Sequence, residues 1–120
     1  MVLVDTSVWI DHFKKGNPSL ERLLIDMKVI CHPFIIGELA CGNLKNRKEI
    51  LSMLHSLPEA TVLEHDELLF FIERNKLMGI GIGLIDVHLI ASAHLTQAPL
   101  WTMDKKLLNA SDTLGISYTD

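Results

Sequence analysis

The sequence of 120 residues has few aromatic side chains, few cysteines and no long uninterrupted apolar run. Phe, Trp and Tyr make up only 6% of the chain, so the core must come mainly from aliphatic side chains among the 48% of hydrophobic residues. A membrane-spanning helix needs roughly 18 consecutive apolar residues, and polar residues interrupt even the most apolar stretch, 78–95. We therefore expect no membrane segment and one domain covering residues 1–120.

Two cysteines occur, Cys31 and Cys41, and their spacing is typical of neither a zinc site nor a redox pair. We expect both to be small, buried hydrophobic side chains. The N-terminus lacks the basic and apolar regions of a secretory signal, because Asp5 and Asp11 interrupt it. These features predict a protein of the reducing cytoplasm.

An excess of basic residues, which nucleic-acid-binding surfaces usually have, is also absent, since the formal net charge is -4. The basic residues are nevertheless clustered. Each cluster is either an ordinary solvated surface or part of a path for a phosphate backbone, and the sequence leaves both open. The pair Lys14–Lys15 is one cluster, and the candidate RNA contacts are Lys45, Arg47, Lys48, Lys105 and Lys106.

Short apolar runs alternate with longer segments of helical periodicity. The runs predict strands at 1–4, 29–31, 61–63, 100–103 and 116–118. The longer segments predict helices at 8–13, 19–27, 33–41, 47–57, 66–78, 84–95 and 105–109, of which 84–95 is apolar nearly all round and should be central. This alternation indicates an α/β fold with a mostly parallel sheet covered on both faces.

Four acidic residues stand apart from those on polar helix faces. Asp5 and Asp104 each follow a predicted strand, although each could simply cap the helix after it. Glu38 is the lone charge of helix 33–41, and Asp86 lies near the start of the apolar helix 84–95. Ligands of such folds bind beyond the carboxyl ends of the strands, so the four carboxylates can converge there.

Such a cluster of carboxylates requires compensation. Two like charges about 4 Å apart repel by about 4 kcal/mol at an effective dielectric constant of about 20. Either some of the acids bind protons or a cation neutralises them. Oxygen ligands without a Cys or His pattern favour a hard ion, so Mg²⁺ or Mn²⁺ is the expected cofactor.

Four segments together resemble the PIN-domain nucleases: VLVDTS at 2–7, GEL at 37–39, DVHLIASA at 86–93 and LWTMD at 100–104. The compact single-domain form is similar to the VapC toxins of bacterial toxin–antitoxin pairs, and the resemblance spans essentially the whole chain. It implies a three-layer α/β/α fold and Mg²⁺- or Mn²⁺-dependent cleavage of RNA, in a tRNA or ribosomal RNA loop. It also implies a homodimer and inhibition by a cognate VapB-type antitoxin.

The resemblance assigns roles residue by residue. The acidic, metal-binding and catalytic set would be Asp5, Glu38, Asp86 and Asp104. The supporting hydroxyls would be Thr6, Ser7 and Thr102. Many relatives carry an acid where this chain has His88, and an Asp and a Phe where it has Lys105, Lys106 and Leu107. These departures leave open whether one or two metal ions bind.

Several alternatives stay open. His88 is either a packed histidine bonded to backbone or a functional group. An antitoxin segment would cover the apolar face of the early helices at Trp9 and Phe13, unless Trp9 belongs to the core. A receiver-like phospho-acceptor domain would need two adjacent acids after the first strand, where Asp5 is followed by a threonine. A catalytically silent PIN-like module that only binds RNA or protein is the other alternative.

Overall fold

The computed structural model describes residues 1–119; residue 120, the last of the predicted domain, lies outside the described residues. Three strands form: β1 (Val2–Val4), β2 (Val29–Ile30) and β3 (Leu100–Trp101). Seven helices surround them within this range: α1 (Thr6–Lys15), α2 (Pro18–Ile25), α3 (Pro33–Cys41), α4 (Arg47–Ser56), α5 (His65–Asn75), α6 (Leu84–Thr96) and α7 (Lys105–Thr113). The predicted α/β alternation is confirmed, with helix ends shifted by a few residues.

The sheet is parallel, with β1 in the centre and the order β2-β1-β3. Leu3 of β1 lies opposite Ile30 on one side and Leu100 on the other. The connection from β1 to β2 and the connection from β2 to β3 therefore run in opposite directions across the sheet. Right-handed connections that run in opposite directions place their helices on opposite faces of the sheet. This arrangement gives the three-layer α/β/α fold, and it explains why β1 is buried throughout.

The sheet is extended at both edges by single bridges. Ser117 pairs with Leu100, in agreement with the strand predicted at 116–118. The strand predicted at 61–63 is wrong, because the bridge beside β2 joins Cys31 to Glu59. There the Cys31 N–H donates to the Pro58 carbonyl at 2.8 Å, and Ala60 is the residue that turns into the core. Chain pairing thus ends before the β-branched residues that suggested a strand.

Helix α6 is the centre of the core, as predicted. Residues 87–93 are all buried, because α6 packs against β3 and against α5. Polar side chains inside this segment, such as Ser92, must find partners within the protein. With 13 residues, α6 is shorter than a bilayer requires, and among residues 1–119 no other helix has the length and apolarity to span a membrane.

The two cysteines differ in environment. Cys31 is buried, and this burial raises the pKa of its thiol to about 11, so it packs as a neutral side chain. Cys41 is exposed, which makes the prediction that both are buried wrong. It is the last residue of α3, and the chain turns away from the core at Gly42.

His32 fixes the start of α3 against α6. Its Nδ1 accepts a hydrogen bond from the Phe34 N–H at 3.0 Å, and its Nε2 lies 3.1 Å from the Ser92 hydroxyl. Because Nδ1 accepts, the neutral ring carries its proton on Nε2 and donates it to Ser92. His32 is fully buried, and burial, with a smaller contribution from His88, lowers its pKa from 6.5 to about 4.

This buried imidazole predicts a loss of stability in acid. Between pH 6.5 and about 4 the unfolded chain binds a proton at His32 and the folded chain does not, so acidification through this window favours unfolding. The variant His32→Asn keeps an acceptor for the cap but cannot titrate. We expect it to be less stable at neutral pH and to lose less stability across this window, as measured by urea unfolding.

The variant His55→Asn removes an exposed imidazole of α4 and is the matched control. Its stability should follow the pH dependence of the wild type. If the free energy of unfolding of His32→Asn fell with pH as steeply as that of the wild type, His32 would not be the titrating group.

Candidate active site

Asp5 directly follows the central strand. Its N–H donates to the Trp101 carbonyl at 2.9 Å, so the ladder between β1 and β3 continues through this residue. Asp5 occupies the N-cap position of α1, but its side chain makes no cap hydrogen bond. The capping alternative for this carboxylate is therefore wrong. Its place at the carboxyl end of β1 is where the sheet connections diverge, the expected location of a ligand site.

Two hydroxyls hold the Asp5 carboxylate. Ser7 Oγ donates to Oδ2 at 2.8 Å, and Thr102 Oγ1 donates to the same oxygen at 2.7 Å. Each hydroxyl in turn accepts a backbone N–H, from Met103 to Ser7 at 2.9 Å and from Asp104 to Thr102 at 3.1 Å. These bonds fix the direction of both hydroxyl protons. Asp5 is 6% exposed, and Oδ1 is the oxygen that these two hydroxyls leave unused.

Glu38 is anchored through α1. Thr6 Oγ1, in the first residue of α1, donates to Glu38 Oε1 at 2.8 Å. Glu38 lies on an exposed position of α3, and α1 packs against α3. All three predicted supporting hydroxyls thus touch a predicted acid: Ser7 and Thr102 bind Asp5, and Thr6 binds Glu38.

Asp86 lies half-buried at the start of α6. Its Oδ2 lies 3.4 Å from the Gly83 N–H, in the first turn of α6. Partial burial raises the pKa of the Asp86 carboxyl, the Gly83 bond lowers it, and the carboxylates of Asp5, Asp104 and Glu38 raise it further. The net result is a pKa above the ordinary value, as expected for a carboxyl group facing other negative charges.

Asp104 has two roles at once. Its Oδ1 accepts from the N–H groups of Lys106 at 2.9 Å and Leu107 at 3.1 Å, so it caps α7. The capping alternative is therefore correct for this residue. Asp104 is also exposed and contributes to the negative potential at Asp86. Capping engages Oδ1, and the other carboxylate oxygen, Oδ2, takes no part in the cap.

Three carboxylates from separate segments of the chain, Asp5, Asp104 and Glu38, therefore act electrostatically on Asp86. Among residues 1–119, no group of three or more His, Cys, Asp or Glu side chains is close enough to hold an ion by itself. Carboxylate oxygens are ligands of Mg²⁺ and Mn²⁺, and Mg²⁺ keeps several waters and needs only one or two direct carboxylates. An all-oxygen donor set is also the set that these ions prefer.

His88 lies apart from the carboxylates, on a different face of α6. His88 is 7% exposed. Its ring packs edge-on against Phe34 with ring centroids 4.7 Å apart, and the centroids of the His88 and His32 rings are 6.4 Å apart. The expected packing is confirmed. The expected backbone bond is not found at Nδ1, which is buried without a hydrogen-bond partner in the described part of the chain.

A groove of about 640 Å³ leads away from Glu38 between α1, α3 and α4. Ile10 and Phe13 line one wall, and Lys14 and Lys45 stand at its edge. Trp9 is fully buried, stacked on Phe13 with ring centroids 5.8 Å apart. The core alternative for Trp9 is therefore correct, and Trp9 is not available to a partner. The surface near Phe13 is available.

The basic candidates differ in what holds them. Arg47 donates to the carbonyls of Gly42 at 3.2 Å and Ala40 at 2.5 Å, so its guanidinium closes the C-terminal end of α3. Lys15 pairs with Asp11 at 3.4 Å. The remaining lysines among the candidates are exposed: Lys45, Lys48, Lys105 and Lys106.

Sequence reasoning missed His32, which joins the helices that carry Glu38 and Asp86. The sequence did indicate its role as an N-cap, because a residue before a proline such as Pro33 favours extended backbone, the conformation of an N-cap residue. The bond to Ser92, 60 positions along the chain, had no comparable signal.

Known proteins match the chain over its full length. The family model described as "PIN domain" matches residues 2–112. Ribonuclease VapC32 from Mycobacterium tuberculosis strain CDC 1551 / Oshkosh is 41% identical over 121 aligned positions, which cover 100% of this chain and 98% of that protein. Ribonuclease VapC32 from strain ATCC 25618 / H37Rv matches with the same identity and coverage. The chain therefore belongs to the PIN-domain family, in its VapC-like form.

Proposed function

We propose that the protein is the toxin of a toxin–antitoxin pair, an endoribonuclease that cleaves a structured RNA loop in a tRNA or ribosomal RNA with Mg²⁺ or Mn²⁺. The names of its Mycobacterium tuberculosis relatives support the ribonuclease activity. Two observations argue against the receiver-like alternative. The chain matches the PIN-domain family, and Asp5 is followed by Thr6 rather than by a second acid. An RNA substrate and a neutral buried thiol at Cys31 agree with a cytoplasmic protein.

The observation that carries this proposal is the convergence of three other acids on Asp86. Burial raises the pKa of the Asp86 carboxyl, and Asp5, Asp104 and Glu38, each from a different segment of the chain, raise it further. A protein gains no stability from bringing like charges together. Perturbed titratable groups of this kind are typical of functional sites, and a cation between the carboxylates would remove the repulsion.

Asp5, Glu38 and Asp86 would hold the ion, directly or through water, and Asp104 would anchor a second ion or position the attacking water. When bound, Mg²⁺ or Mn²⁺ lowers the pKa of a water molecule and neutralises charge on the phosphate oxygens. Oxygen Oδ1 of Asp5 is available for this role because Ser7 and Thr102 both engage Oδ2.

The chain's own residues keep the site in its working geometry. Thr102 joins the Asp5 carboxylate to the Asp104 N–H, so two of the four acids move as one unit. Thr6 ties Glu38 to α1 and thus to the residue after Asp5. Water, rather than the RNA 2′-hydroxyl, would attack the phosphorus, which leaves a 5′-phosphate and a 3′-hydroxyl.

Cleavage of structured RNA in Mg²⁺ or Mn²⁺ tests this function. The wild type should cut, and Asp5→Asn should lower kcat by about 100-fold or more, since a charge at the reacting centre is lost. The control Asp26→Asn neutralises an acid at the end of α2, away from the site, and should cut like the wild type. The rate of RNA cleavage gives kcat, and analysis of the RNA ends identifies the end groups that are produced.

Two outcomes would contradict the proposal. Ends that carry 2′,3′-cyclic phosphate would show that the 2′-hydroxyl is the nucleophile. A wild type that binds structured RNA but leaves it intact in both metals would favour the silent binding module.

A second part of the proposal concerns the partner. A VapB-type antitoxin would place an apolar segment in the groove beside Ile10 and Phe13 and insert a basic side chain towards Glu38. The apolar wall and the negative end of the groove match such a segment in both chemistry and charge. The homodimer that the family resemblance implies would use other surfaces, such as the exposed Phe70 of α5.

The variant Ile10→Glu tests the groove. Ile10 is 43% exposed, so a charge there should leave folding intact. An apolar segment of the antitoxin that covers this position would have to remove the charge from water, which costs binding free energy. We expect Ile10→Glu to weaken inhibition of RNA cleavage by the cognate antitoxin by about 10-fold or more, in line with loss of a central apolar contact.

Ile25→Glu, at an isoleucine that is 80% exposed at the end of α2, is the matched control and should be inhibited as the wild type is. Equal inhibition of both variants would place the antitoxin elsewhere. Equal cleavage rates of the wild type with and without antitoxin would refute inhibition altogether.

A further inference from the structure

Lys106 crosses from α7 to the loop between α5 and α6. Its backbone N–H is bound to Asp104 Oδ1 at 2.9 Å, and its side chain lies over Gly81. A Cβ atom on Gly81 would be 3.1 Å from Lys106 Nζ and 3.2 Å from its Cδ. The lysine side chain thus occupies the space that any side chain at position 81 would take.

Gly81 is suited to this contact in two ways. Its φ of +84° is in the region that favours glycine, and the absent Cβ leaves a notch for the lysine. Gly79 has a similar φ of +70°, but a Cβ there would meet nothing within 4 Å. Of these two glycines, only Gly81 combines the backbone requirement with close contact to a side chain.

The two sides of the notch are connected along the chain to two of the four acids. Lys106 starts beside Asp104, and the loop that it covers ends at Gly83, whose N–H faces Asp86 Oδ2. Lys106 nevertheless forms no ion pair with a carboxylate within residues 1–119, where the single Lys–carboxylate pair is that of Lys15 and Asp11. Its ammonium group is therefore not engaged by a carboxylate of these residues and is available to an external anion.

We propose that Lys106, held over the Gly81 notch, binds a phosphate of the RNA next to the scissile bond, and that Gly81 is its positioning residue. This inference rests on the proposed ribonuclease function. A lysine binds phosphate as a point charge, and a side chain that is already placed loses less freedom on binding than a free one. Arg47 is engaged with helix carbonyls, so Lys106 has the stronger geometric case.

Charge removal at Lys106 tests the contact. Lys106→Met keeps the aliphatic stem, Lys106→Arg keeps the charge, and Lys28→Met makes the same charge change at the opposite, amino edge of the sheet, where the Lys28 carbonyl binds Val2. We expect Lys106→Met to raise KM for RNA cleavage by about 5-fold or more with kcat within about 2-fold, since one phosphate contact is lost. Lys106→Arg should restore KM, and Lys28→Met should not change it.

RNA binding gives a readout independent of cleavage. In an Asp5→Asn background, the affinity for the same RNA is measured by fluorescence anisotropy from about 50 to about 200 mM salt. Loss of the Lys106 charge should make the slope of log affinity against log salt shallower by about 0.7. If the wild type cleaves RNA but Lys106→Met matches Lys28→Met in KM and salt slope, this inference fails and the ribonuclease function stands. A wild type without cleavage would instead overturn the function on which it rests.

The positioning role of Gly81 has its own matched pair. Gly81→Ala and Gly79→Ala introduce the same methyl group at similar positive φ, but only the first places it against the Lys106 side chain, which must then shift. Gly81→Ala should raise KM, Gly79→Ala should not, and Gly81→Ala combined with Lys106→Met should be no worse than Lys106→Met alone. A wild-type KM and salt slope in Gly81→Ala would overturn the positioning role.

Discussion

Repulsion among four carboxylates is the constraint to which the rest of the structure responds. Burial and three neighbouring acids raise the pKa of the Asp86 carboxyl. No lysine or arginine is paired with Asp5, Glu38, Asp86 or Asp104 among the described residues, where the single such ion pair lies on α1. The negative charge is therefore retained rather than neutralised internally, which is the condition that a site for a divalent cation requires.

The scaffold keeps these charges in place by fixing each one to a different rigid element. The parallel ladder sets Asp5 beside Thr102, at the ends of β1 and β3. The buried His32 ring connects the start of α3 to α6 through Ser92, so the helices that carry Glu38 and Asp86 are joined in the core. Hydroxyls and a neutral imidazole make these links, so they add no charge to the site.

The sequence was sufficient to single out the four acids as candidates because each one violates a local pattern. Asp5 and Asp104 follow apolar strands, and parallel strands place such residues at one sheet edge. Glu38 and Asp86 are charges in helices that are otherwise apolar near them. The α/β fold could be predicted for the same reason, since the alternation of short apolar runs with helical periods survives in a single sequence.

The remaining details depend on register and on helix rotation, which no local pattern reports. Thr102 and Asp5 are 97 positions apart, and their bond exists only because β1 and β3 pair in one register. The sequence left Trp9 open between the core and a partner surface, because a helix of 10 residues does not by itself show which apolar side faces the core. The contact between Lys106 and Gly81 depends on how α7 sits against a loop distant in sequence.

Binding of Mn²⁺, measured through its effect on thermal unfolding, tests the central claim most directly. Mn²⁺ should raise the melting temperature of the wild type and of Glu73→Gln, a control on the exposed face of α5, and should have little effect on Asp86→Asn. In EDTA, Asp86→Asn should melt no lower than the wild type, because one of the mutually repelling charges is gone and water limits the gain for a partly exposed group. Equal stabilisation of Asp86→Asn and the wild type by Mn²⁺ would contradict the account.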